Sequence, residues 1–98
     1  MVMEIALGKV VYSKAGRDKG RSFIVTGIID DIYVLISDGT LRKIDKPKRK
    51  KIKHLAVTNK CFENLGIKLQ TNERVSNSDL RKALESLESE NGNENIFK

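Results

Sequence analysis

A chain of 98 residues that is 39% hydrophobic but only 5% aromatic has material for one modest core, which leaves no room within it for a second domain or a deep catalytic cleft. A formal net charge of +6 favours a polyanionic partner, nucleic acid before an anionic membrane surface. The charge is lopsided: residues 1–56 hold 13 of the 19 Lys and Arg against 6 of the 13 Asp and Glu, a net +7, whereas residues 57–98 hold 6 against 7, a net −1.

In chain order, the start (residues 1–7) carries Glu4 and lacks the basic and apolar regions of a signal peptide, so a cytoplasmic location is expected. No stretch approaches the roughly 20 apolar residues of a membrane span. Residues 8–13 (GKVVYS) read as a first strand. Residues 22–29 and 32–37 read as a second and third, joined by a tight turn at Asp30 and Asp31. Asp38-Gly39 is a strong two-residue hairpin signal, placing a fourth strand at 40–44 (TLRKI). A fifth is expected at 54–58, after a basic loop at 46–53.

The middle strands are apolar at nearly every position, as in a tightly curled sheet covered on one face and partly shielded on the other. Short strands and tight turns within so few residues predict a small β-barrel. Residues 61–70 read as irregular or as a short strand around Leu65, Ile67 and Leu69, and 71–77 as a polar linker. A helix is expected at 78–90, capped by Ser78 with Asp79 in its first turn and carrying an apolar stripe of Leu80, Ala83, Leu84 and Leu87. Gly92 should end it and leave 91–98 as a frayed tail.

Two segments could carry the basic function. In 13–21 (SKAGRDKGR), Gly16 and Gly20 bracket a loop bearing Lys14, Arg17, Lys19 and Arg21, where glycine permits sharp bends and the cations can reach phosphates. An ordinary solvated hairpin loop is the plainer reading. A phosphate-binding P-loop is rejected, because the glycine spacing is one residue short and a strand follows. The second segment, 46–53 (KPKRKKIK), places Lys46, Lys48, Arg49, Lys50, Lys51 and Lys53 in one block, with Arg42 and Lys43 extending it. Held between two strands, such a block suits salt-sensitive phosphate binding. The plainer reading is a solvated basic loop.

His54 closes the run. With no Ser or Asp placed to form a triad, it reads as a hydrogen-bonding member of the same surface. Single Cys61 and single His54 exclude an internal disulfide and a Cys-based zinc site, and no other metal or cofactor is expected. Tyr12, Phe23 and Tyr33 lie in expected strands, where core packing is favoured over base stacking, so recognition by shape and backbone is the better expectation. Nothing in these residues argues for catalysis.

The runs Gly8-Lys-Val-Val, Ser13-Lys-Ala-Gly-Arg-Asp-Lys-Gly20, Asp38-Gly-Thr-Leu-Arg-Lys43 and Pro47-Lys-Arg-Lys-Lys-Ile-Lys-His-Leu55 together resemble the KOW family of RNA-binding domains. More narrowly, they are similar to the family of the fourteenth large-subunit protein of archaeal and eukaryotic ribosomes and its bacterial KOW relatives. The helix opening at Ser78-Asp79 fits the same pattern. The resemblance implies an SH3-like barrel over residues 1–60 that binds ribosomal or other structured RNA through the KOW loop and the basic loop, with ribosomal proteins as further partners. One departure is a tight Asp38-Gly39 turn where archaeal members carry a longer loop, which leans toward the bacterial relatives. The rival reading, from another class, is an SH3-like protein-interaction module, for example for RNA polymerase. It needs an exposed apolar or aromatic groove, for which few aromatics are available. A membrane-surface role is disfavoured by the acid-rich helix, and no small-molecule substrate is expected.

Overall fold

The computed structural model describes residues 5–96, with side chains for 5–87. The readings made for 1–4 and 97–98 lie outside the described residues. Five antiparallel strands form one sheet in the order β4-β3-β2-β1-β5: β1 Lys9–Ser13, β2 Ser22–Ile28, β3 Tyr33–Ser37, β4 Lys48–Lys51 and β5 Leu55–Cys61. Two helices follow, α1 Glu63–Gln70 and α2 Asn77–Ile96.

β4 and β5 are the two sheet edges, yet only the 3-10 turn Ile52–His54 separates them in the chain. A 3-10 turn rises about 2 Å per residue, whereas five flat strands would hold their edges roughly 19 Å apart. The sheet must therefore curl until its edges approach, and that curl makes the expected small barrel.

Burial on consecutive positions follows from the curl. Val10 and Ile24 point outward and Val11, Phe23 and Val25 point inward, and all five are fully buried. The inner cluster adds Val34, Ile36 and Leu55. The outer one is closed by Leu65 of α1, by Val75, and by Leu80, Leu84 and Leu87 of α2. The helices thus cover the outside of β1 and β2, and the small domain gains a second apolar layer that the barrel alone could not supply.

Several elements differ from expectation. Residues 40–44 form no strand, because Asp38 turns its carboxylate onto the chain ahead: Oδ1 accepts from the N–H of Thr40 and of Arg42, each at 2.9 Å. The whole of 38–47 is therefore connection, and the tight hairpin that set this chain apart from longer-looped relatives is not present. The expected basic loop at 46–53 is instead mostly the edge strand β4, paired to β3 from Tyr33↔Lys51 to Ile36↔Lys48, followed by the 3-10 turn. Residues 63–70 form a helix because Leu65 and Leu69, four apart, face the outer cluster while Ile67 lies 56% exposed; period two was the wrong spacing to read there. Ser76, not Ser78, caps α2: its Oγ accepts from Asp79 N–H at 3.1 Å and Asp79 Oδ2 accepts from Ser76 N–H at 3.0 Å, a reciprocal capping box. Continuing to Ile96, the helix passes through Gly92, so no tail begins at 91.

Candidate nucleic-acid interface

Loop 14–21 is built on its own backbone. Ser13 N–H donates to Arg21 O at 3.0 Å and Gly20 N–H to Ser13 O at 2.8 Å, pinching the loop at its neck. Gly16 and Gly20 sit at φ +80° and +85°, the left-handed region where a side chain is strained. Lys14, Arg17, Lys19 and Arg21 are all exposed, whereas Asp18 between them is buried. The loop therefore turns its one anion inward and its four cations outward.

Asp18 finds its partner in the distant connection 38–47: Arg42 Nη2 lies 3.1 Å from Asp18 Oδ2. The same connection is tied to α2, where Asn77 Oδ1 accepts from Ile44 N–H at 2.7 Å and Arg81 Nη1 donates to Gly39 O at 2.6 Å. Lys43 and Lys46 remain exposed on it. From the third segment, Lys50 Nζ donates to Ala15 O at 3.2 Å, and His54 O accepts Lys14 N–H at 2.8 Å. Three basic segments far apart in sequence thus share one end of the barrel. Like charges gathered so closely repel one another, and a polyanion relieves that repulsion.

Pleating sorts the basic strand into two faces. Lys48 and Lys50 stand opposite Ile36 and Val34, on the inner face, where Lys50 runs its stem along the barrel mouth toward loop 14–21. Arg49 and Lys51 stand opposite Leu35 and Tyr33, on the outer face. There the Arg49 guanidinium lies 4.8 Å and the Lys51 ammonium 6.0 Å from the centroid of the Tyr33 ring. Across the β2–β3 turn, Asp30 Oδ1 accepts from the N–H groups of Ile32 and Tyr33 at 2.8 Å each; those bonds, with a smaller pull from Arg49, hold its pKa below the usual carboxylate value.

The residues expected at the site therefore divide. Lys14, Arg17, Lys19, Arg21, Lys43, Lys46 and Lys53 are exposed, and the segments that carry them meet through Arg42–Asp18, Lys50–Ala15 and Lys14–His54, while Gly16 and Gly20 shape the loop that carries four of them. Arg42 is engaged by Asp18 and acts first as a tie between loops. His54 is half-buried and contributes its carbonyl. Two residues escaped the sequence reading. Asp18 is only one letter of the run 13–21 in the sequence, and Tyr33 reads as core until β4 places cations over it. The signal for Asp18 was its position as the sole anion among four cations. For Tyr33, none existed without the strand register.

Among the described residues no group of three His, Cys, Asp or Glu could hold a metal ion, and no helix is long and apolar enough to cross a membrane. Exposed apolar side chains gather at the β2–β3 turn, with Ile28 and Ile29 49% and Ile32 56% accessible.

No family model matches the chain. It is 31% identical over 86 residues to the large ribosomal subunit protein eL14 of Pyrobaculum calidifontis, covering 88% of this chain and 77% of that one. To the eL14 of Pyrobaculum arsenaticum it is 36% identical over 63 residues, 64% of this chain and 61% of the relative. To that of Desulfurococcus amylolyticus it is 38% identical over 59 residues, 60% and 62% of the two chains.

Proposed function

Since this chain belongs to the eL14 family of large ribosomal subunit proteins, we propose that it is an RNA-binding protein of the translation apparatus, seated on structured ribosomal RNA in the cytoplasm. The observation that carries this reading is the convergence of loop 14–21, connection 38–47 and β4, joined by the Arg42–Asp18 pair and by Lys50 reaching Ala15 O. The exposed cations around that junction contact phosphates, and the glycine-shaped loop brings backbone N–H groups near the same surface. Recognition is by shape and charge, with weak dependence on base sequence.

Contact with a neighbouring ribosomal protein is the second part of the reading, supported by the apolar tip of Ile28, Ile29 and Ile32. Titration of a ribosomal RNA fragment against salt tests the first part. With about six phosphates engaged, log K should fall against log salt with a slope of roughly −4 to −6. An affinity indifferent to salt, or none at low salt, would falsify it. Pull-down with and without ribonuclease separates RNA-borne partners from direct protein ones.

A further inference from the structure

The two helices cover only part of the outside of the sheet. Their apolar cluster takes Val10 from β1 and Ile24 from β2, and no residue from β3 or β4. On the outside of β3 and β4 stand Tyr33, Leu35, Arg49 and Lys51, of which Arg49 is exposed and the other three half-buried. Arg49 Cζ lies 4.8 Å from the centroid of the Tyr33 ring, so the ring holds the guanidinium in a cation–π contact while the side chain stays open to solvent. Lys51, next on the same face of the strand, lies 6.0 Å from that ring centroid.

This trio differs chemically from the cations on loop 14–21. A guanidinium backed by an aromatic ring presents a flat, rigid, cationic surface, and nucleobases stack on such planes. A base paired within a helix has both faces occupied, so only an unpaired or extruded nucleotide can use it. The neighbouring ammonium is a point charge suited to the phosphate of that nucleotide. Resting on the RNA-binding reading above, we infer that the outer face of β3 and β4 is a second RNA contact that takes one unpaired nucleotide. Its base stacks on Arg49 over Tyr33 and its phosphate meets Lys51. The barrel thus holds helical RNA at its loop end and reads a single flipped or looped base on its side.

The test uses the full-length protein and two RNAs, a hairpin with 2-aminopurine in a single-nucleotide bulge and the same stem fully paired. Arg49→Lys keeps the charge and removes the plane; Tyr33→Leu keeps bulk and removes the ring. Circular dichroism confirms that both variants are folded. Each should weaken binding of the bulged RNA by about tenfold, in line with the cost of losing one stacked base, and should abolish the rise in 2-aminopurine fluorescence that follows when the wild-type protein draws the base out of the RNA stack. Affinity for the paired stem and the salt slope should stay at wild-type values. If Arg49→Lys binds the bulged RNA and raises its fluorescence like wild type, or if both variants lose the two RNAs equally, the stacking site is wrong while the loop-end reading stands. If the wild-type protein binds neither RNA at low salt, the RNA reading fails and takes this inference with it.

Discussion

Arg42 Nη2 sits 3.1 Å from Asp18 Oδ2, so the one buried anion of loop 14–21 is held by a cation from a connection more than twenty residues away. This pair sets the relative position of two basic segments. Replacing Asp18 with Asn raises the net charge by one and should nevertheless weaken RNA binding. The loop loses its anchor, and the freed Arg42 repels the cations around it. Because Arg42 is one-third exposed, the stability cost should be modest, about 1 kcal/mol. Tighter binding by Asp18→Asn at every salt concentration would show that charge count alone governs the interface.

The two glycines of the same loop offer a perturbation without charge. Gly16 and Gly20 both hold positive φ, so Gly16→Val or Gly20→Val strains the backbone by about 1–3 kcal/mol or reshapes the loop. A Cβ at Gly20 would meet no heavy atom within 4 Å, so any loss there reports conformation and not a clash. Affinity should fall several-fold while the slope of log K against log salt changes by less than one unit. A slope that drops along with the affinity would mean that the loop had released its cations altogether.

Pleating predicts that the basic strand is divisible. Lys48→Ala with Lys50→Ala removes inner-face charge beside loop 14–21 and should flatten the salt slope on paired RNA by about one unit per phosphate lost. The same pair changed to Val should also cause association at high concentration, since lysines on an edge strand discourage edge-to-edge pairing. Sedimentation of the Val variant checks the second effect, and salt-titrated binding of the Ala variant checks the first.

The C-terminal helix should be indispensable to stability. Leu80, Leu84 and Leu87 are buried against Val10, Ile24, Leu65 and Val75, and each contributes about 1.5–3 kcal/mol. Small domains hold only about 5–15 kcal/mol in total. Deleting residues 76–98 should therefore abolish the cooperative thermal transition. A truncated chain that melts at the wild-type temperature would show that the outer cluster contributes nothing.

The cap of that helix carries a pH signature. Asp79 has its pKa lowered, chiefly by the Ser76 backbone N–H and against the opposing effect of desolvation. A carboxylate depressed in the folded state stabilises above its unfolded pKa and loses that contribution as pH falls through its folded value. Wild type should therefore lose melting temperature below about pH 4 more steeply than Asp79→Asn, which lacks this titration. Equal acid sensitivity in the two would remove the capping box from the account.

By itself the sequence determined the barrel strands β1, β2, β3 and β5, because short runs such as SFIVTGI and YVLIS are rich in β-branched and aromatic residues and are bounded by turn residues, which favours strands. It also determined the basic character of the loop end and the stripe of α2, since charge and helical periodicity are local properties. Only the tertiary structure decided that KRKK is a strand. No intrinsic preference makes four consecutive cations extend; β3 does so by offering an unpaired edge. The same holds for Asp18, Arg42 and Tyr33, whose roles depend on partners remote in sequence or on the register of a strand that local pattern cannot reveal. Composition and period are written residue by residue, whereas register and long-range pairing exist only once the chain has closed on itself.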